Sequence, residues 1–179
     1  MDANWRTHNL DLTGVAAQRI NQEWLLTNGT GAYSASTVPG VNTRRYHGLL
    51  VAAADPPVGR VVALNQVWDQ FVIRRQGKGA TVDQPIDLAS LQFPAEGGTV
   101  LAPEGCQMLA RFERGATVRW TWRFGKVAIE RELVLHWKRQ AITLHYHVTG
   151  LDRLKAKATL RIAPMFTPVS YTHLRAHET

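Results

Sequence analysis

At 179 residues, 45% of them hydrophobic and 20% charged, the chain has the length and composition of one globular domain with a real core. The longest apolar run, Leu49 to Ala54, falls far short of the ~20 residues of a membrane-spanning helix. The lone Cys106 excludes an internal disulfide and a cysteine-based zinc site. The formal charge of +7 is spread over blocks of at most two basic residues, which describes a solvated basic surface better than a nucleic-acid track.

In chain order, the opening "MDANWRTHNLDL" carries an acid at Asp2 and no apolar segment, so it does not read as a signal peptide, and a cytoplasmic location is expected. The sequon Asn28-Gly29-Thr30 is then a chance match. A short helix is weakly signalled over Val15 to Gln22. Four strand-like segments follow, "GAYSASTV", "YHGLLVAA", "RVVALN" and "VWDQFVIRR", separated by Pro39-Gly40, Asp55-Pro56-Pro57 and Gly77-Lys78-Gly79. Residues 84–106, rich in proline and glycine, read as a long connection.

The second half alternates. "TVRWTWRF" puts Val118, Trp120, Trp122 and Phe124 on one face. "KVAIERELVLHW" aligns Val127, Ile129, Arg131, Leu133 and Leu135, apolar but for the arginine. "QAITLHYHV" and "LKAKATLRIA" repeat the pattern, and Arg114-Gly115 and Gly125-Lys126 are hairpin signals. Sequential strands about ten residues apart predict an antiparallel meander, hence an all-β sandwich with few or no helices. The pattern lapses after "RIAPMF". The domain is therefore expected to span 1–168. Residues 169–179, which resemble the translation of a sequencing adapter, are expected to be a non-native tail. The i, i+4 pair His173 and His177 in that tail is given no metal role.

Most chemistry-bearing patterns have a plain structural explanation. Gly29-x-Gly31 lacks both the third glycine and the following helix of a dinucleotide fingerprint, so it marks a kinked strand where backbone approaches closely. His145 and His147 share a strand face but have no third ligand. Glu130 and Glu132 share a face at about 6.5–7 Å, near the spacing of inverting glycosidases, yet they do not oppose each other across a cleft. They read as surface charges facing Arg119 or Arg123. No metal, no cofactor and no catalytic pair is expected. "NTRRYHG" differs: Asn42, Arg44, Arg45, Tyr46 and His47 concentrate forks, amides and aromatic faces of the kind that hold sugars. By chemistry alone, binding and a self-satisfied turn stand level.

Taken as one unit, "EWLLTNGTGAYSASTVPGVNTRRYHGLLVAAADPPVGRVVAL", Glu23 to Leu64, resembles the N-terminal domain of bacterial and archaeal glycogen debranching enzymes of the amylo-α-1,6-glucosidase type. The family pattern is met at Glu23, Trp24, Leu25, Thr27, Asn28, Gly29, Gly31 and Tyr33. It is met again at Gly40, Asn42 to Ala52, Pro56, Pro57, Gly59 and Arg60. Ala32 stands where glycine is usual and Pro39 where serine is common. The likeness runs over roughly residues 20 to 166. It implies a mutarotase-like β-supersandwich followed, beyond Phe166, by an (α/α)-toroid that carries the catalytic acids. The chain would then be the non-catalytic part of a glycoside hydrolase. Arg44, Arg45, Tyr46 and His47, with Asn42, Asn28 and Tyr33 in support, would contact α-glucan or the missing catalytic domain.

Three functions follow from these readings. The favoured one is the accessory domain of a debranching α-glucosidase acting on glycogen or limit dextrin. The second is a free-standing carbohydrate-binding module. The third, a basic nucleic-acid binder stacking bases on Trp120 and Trp122, is disfavoured because tryptophans on an apolar strand face belong to a core. Separation from a large partner domain predicts marginal solubility.

Overall fold

A computed structural model describes residues 8–55, 59–76, 81–153 and 156–166. Pro56 and Pro57, the Gly77-Lys78-Gly79 turn, Leu154 and the tail with His173 and His177 lie outside them. The described residues form fourteen strands and three short 3-10 turns. The strands are β1 (His8–Asp11), β2 (Glu23–Thr27), β3 (Tyr33–Thr37), β4 (Gly48–Asp55), β5 (Gly59–Leu64), β6 (Gln66–Gln76) and β7 (Thr81–Asp87). They continue with β8 (Ser90–Ala95), β9 (Gly98–Glu104), β10 (Leu109–Arg114), β11 (Val118–Phe124), β12 (Val127–Leu135), β13 (Ile142–Thr149) and β14 (Lys157–Met165). No described helix is long and apolar enough to cross a membrane.

The fold is an all-β sandwich. One layer is a five-stranded antiparallel sheet in the order β1-β10-β11-β12-β13; β11 to β13 are the part of the expected meander it contains, and β10, not foreseen, precedes them. Facing it are a four-stranded sheet, β2-β3-β4-β5, and a three-stranded one, β14-β6-β7. Alternation explains the layering. Val118, Trp120, Trp122, Ile129 and Leu133 turn inward from β11 and β12, and meet Trp24 and Leu26 of β2 and Phe71 and Ile73 of β6 in one core. Trp24 meets Trp120 edge-on at 5.5 Å, and Phe71 stacks on Phe124 at 6.1 Å. Two of the three buried indoles find a partner for their N–H among the described residues; that of Trp122 has none. Trp24 donates to Thr37 O at 3.0 Å and Trp120 to Val38 O at 2.9 Å, so the β3–β4 connection is bolted to both layers.

Three expectations need correction. Residues 84–106 are not a loop but hold most of β7 and all of β8 and β9. Their prolines are tolerated because β7 ends its sheet and β8 and β9 form a two-stranded ribbon, leaving each strand a side with no ladder to break. The "LKAKATLRIA" segment does not extend the meander; β14 pairs with β6, from Lys157 opposite Arg74 to Met165 opposite Gln66. Period-2 patterning assigns faces, not neighbours. The signal over Val15 to Gln22 yields only a 3-10 turn, Ala16–Arg19.

Candidate functional site

Strand β2 exposes alternate residues: Trp24 and Leu26 point into the core, while Glu23, Leu25 and Thr27 face outward. The "NTRRYHG" segment between β3 and β4 folds over this outer face. Its tight turn is closed by His47 N–H donating to Arg44 O at 3.0 Å. Thr43 N–H donates to His47 Nδ1 at 3.1 Å, which in the neutral ring leaves the proton on Nε2. That nitrogen is buried, has no hydrogen-bond partner, and lies 3.7 Å from Glu23 Oε1.

Glu23 is the hub. Its Oε1 accepts from Arg44 Nε and its Oε2 from the Tyr46 hydroxyl at 3.3 Å. Partial burial works to raise the Glu23 carboxyl, but the hydrogen bond and charge of Arg44 outweigh it and hold the group below the usual glutamate value. Burial pushes His47 down, against the opposing pull of Glu23, so this imidazole favours its neutral form. Tyr33 joins the cluster by donating its hydroxyl to Tyr46 O at 3.0 Å. Arg60 of β5 lies 5.8 Å over the Tyr33 ring and donates to Gly31 O at 3.3 Å.

These groups border an open groove of about 600 Å³, lined by Glu23, Leu25, Thr27, Tyr33, Tyr46 and Arg60 over a floor that includes Trp24, Ala32 and Ala35. The groove offers two phenol rings, a carboxylate acceptor and a guanidinium donor. A ligand with both hydroxyls and apolar ring faces suits that mixture.

Of the residues singled out in sequence, the fold brings Tyr33, Arg44, Tyr46 and His47 together around Glu23. Arg45 is exposed in the same turn. Asn42 and Asn28 lie outside this cluster and make hydrogen bonds within the fold. The Asn42 amide donates to Asn65 O and Oδ1 and accepts from Ser36 Oγ. Asn28 is fully buried: its Oδ1 accepts from Thr30 N–H and Ala32 N–H, and its amide donates to Arg139 O at 2.9 Å. A glycan on that amide nitrogen would displace the last bond. Glu23 and Arg60 were overlooked as site residues. The outward phase of β2 was the available signal for Glu23, and the family pattern contained both Glu23 and Arg60 without assigning either a role.

Other polar clusters are already spoken for. On the outer face of the five-stranded sheet, Arg119 sits among Glu130 at 3.2 Å, Glu132 at 3.0 Å and Glu113 at 3.8 Å, in a surface lattice. Among the described residues no group of three or more metal-ligating side chains occurs. Trp120 and Trp122 are buried, so neither ring is open to a base.

A family model described as glycogen debranching enzyme N terminal matches residues 22–179. No curated protein and no solved structure matches the chain.

Proposed function

The chain belongs to the glycogen debranching enzyme N-terminal family, and on that premise we propose that it acts as a glucan-contacting accessory domain of an α-1,6-glucosidase. Hydrolysis of the branch linkage needs two suitably placed carboxylates, which this reading assigns to a separate catalytic domain. The observation that carries the proposal is the cluster of Glu23, Arg44, Tyr46 and His47 at the rim of an open groove. Glucose rings present hydroxyls that both donate and accept, and axial C–H faces that pack on aromatic rings. Glu23 supplies acceptors, Arg60 supplies donors, and Tyr33 and Tyr46 supply the faces. Because Arg44 and the Tyr46 hydroxyl already hold Glu23, the rim is fixed before a ligand arrives, which lowers the ordering cost of binding.

A second role on the same face is supported by exposed carbon: Leu25 is 47% and Tyr46 42% exposed beside the groove. We propose that the catalytic domain abuts this rim, so that a glucan held here runs toward its acids. Calorimetric titration of the 179-residue chain with maltoheptaose tests the glucan reading. Tyr46→Ala and Arg60→Ala should each weaken binding by about tenfold, as for loss of an anchoring contact. Arg74→Ala, on another sheet, should leave it unchanged. A wild-type chain with no measurable heat of binding refutes the reading.

A further inference from the structure

Trp137 lies in the turn between β12 and β13 and is 66% exposed, the most open tryptophan among the described residues. An indole so placed is normally loose, but this one stands on a held turn. Lys138 N–H donates to Asn28 O at 2.8 Å, the Asn28 amide donates to Arg139 O, and Gln140 Oε1 accepts from Ala53 N–H at 3.0 Å. Asn28 is fully buried in the β2–β3 connection and Ala53 belongs to β4, so this turn is fastened to two parts of the four-stranded sheet.

The indole also has a dedicated seat. Gly29 has φ +78, and a Cβ there would fall 2.5 Å from Trp137 Cη2 and 2.8 Å from Cζ2 and Cζ3. The end of the benzo ring occupies the space a side chain would fill. Gly29 lines the groove that holds Tyr33, Tyr46 and Arg60, so the seat of Trp137 is also part of the groove's wall.

We propose that Trp137 is a second aromatic platform of the same site, extending it from a pocket for one or two sugar units into a track for a longer linear α-glucan. This rests on the glucan reading of the groove and deepens it. An exposed, pre-positioned indole stacks a sugar ring without first losing rotamer freedom.

The test compares chain lengths. The 179-residue wild type, Trp137→Ala and Trp137→Phe are titrated calorimetrically with maltose and with maltoheptaose, with thermal unfolding to show that each variant folds. Trp137→Ala should weaken maltoheptaose binding by about five- to tenfold and leave maltose within twofold, and Trp137→Phe should restore most of the loss. Wild-type affinity of Trp137→Ala for both sugars overturns the platform alone and points to a protein-facing role for the indole. Equal losses for both sugars overturn the extended track. A wild type that binds neither sugar overturns the groove reading and this proposal with it.

Discussion

Two arginines of this domain are built into the same set of parts and end with opposite roles. Arg131 of β12 donates to Asp69 Oδ2 at 2.9 Å, Tyr146 donates its hydroxyl to the same oxygen, and Trp120 and Trp122 lie 4.5 and 5.0 Å from the guanidinium. Arg44 likewise meets a carboxylate, Glu23, which also accepts from a tyrosine hydroxyl, and lies 5.9 Å over the ring of Tyr46. The difference is solvent. The side chains of Arg131 and Asp69 are 6% and 0% exposed, whereas those of Arg44 and Glu23 are 58% and 30% exposed. Burial disfavours the charged guanidinium of Arg131, yet the neighbouring Asp69 carboxylate outweighs it and holds the pKa above its ordinary value. Burial likewise pushes the Tyr146 hydroxyl well above the usual phenol range. One constellation is a buried clamp between two sheets; the other is an open, solvent-exposed rim.

The comparison breaks most visibly at the clamp. Asp69→Ala strands a buried guanidinium and should cost about 3–5 kcal/mol of unfolding free energy in urea. Replacing both partners, Arg131→Met with Asp69→Leu, should recover part of that loss, because the desolvation penalty leaves with the charges while the Tyr146 hydroxyl loses its acceptor. A double variant as unstable as Asp69→Ala would mean that the clamp holds the layers in a way apolar packing cannot replace.

Next in size is Gly29→Ala. The left-handed backbone alone costs an L-residue about 1–2 kcal/mol, and the Trp137 ring blocks the methyl as well. Adding Trp137→Ala should relieve the clash and leave the backbone part, which chemical denaturation of the double variant separates.

The rim should respond to acid. His47 and Glu23 both have folded pKa values below their ordinary 6.5 and 4.5, so the unfolded chain takes up their protons first. Stability is full above pH ~6.5, declines as pH falls through the folded value of His47, and declines again below ~4.5 through that of Glu23. His47→Asn, which keeps an acceptor near Nδ1, should flatten the upper limb of a melting-temperature profile against pH and leave the lower one. The smallest effect is expected at the exposed Arg74–Asp83 pair, 2.7 Å apart with side chains 55% and 36% exposed. Arg74→Ala should barely move the unfolding midpoint, and what shift there is should fade with salt.

The two arginines also mark how far sequence reasoning reached. Alternation placed Arg131 on the apolar face of β12, but its partner Asp69 is 62 residues away and on another sheet, so the clamp was invisible. The "NTRRYHG" concentration stood out because its polar groups are contiguous. Glu23, 21 residues before Arg44, did not, since only the pairing of β2 with β3 brings them together. Strand identity was legible where hydrophobic alternation was strong, as in β11 and β12. It failed at β7 to β9, where proline on unpaired edges imitates a loop. Trp137 was not singled out in the sequence, because its exposure depends on a turn held by Asn28 and Gln140, partners distant along the chain.

The most direct test of the central claim is a backbone-amide NMR titration of the isotope-labelled chain with maltoheptaose. The account predicts saturable shifts gathered on residues 23–33, 44–47 and 60, with the Trp137 indole N–H moving in step. Shifts confined to the outer face of β11, β12 and β13, or none at millimolar sugar, would contradict it.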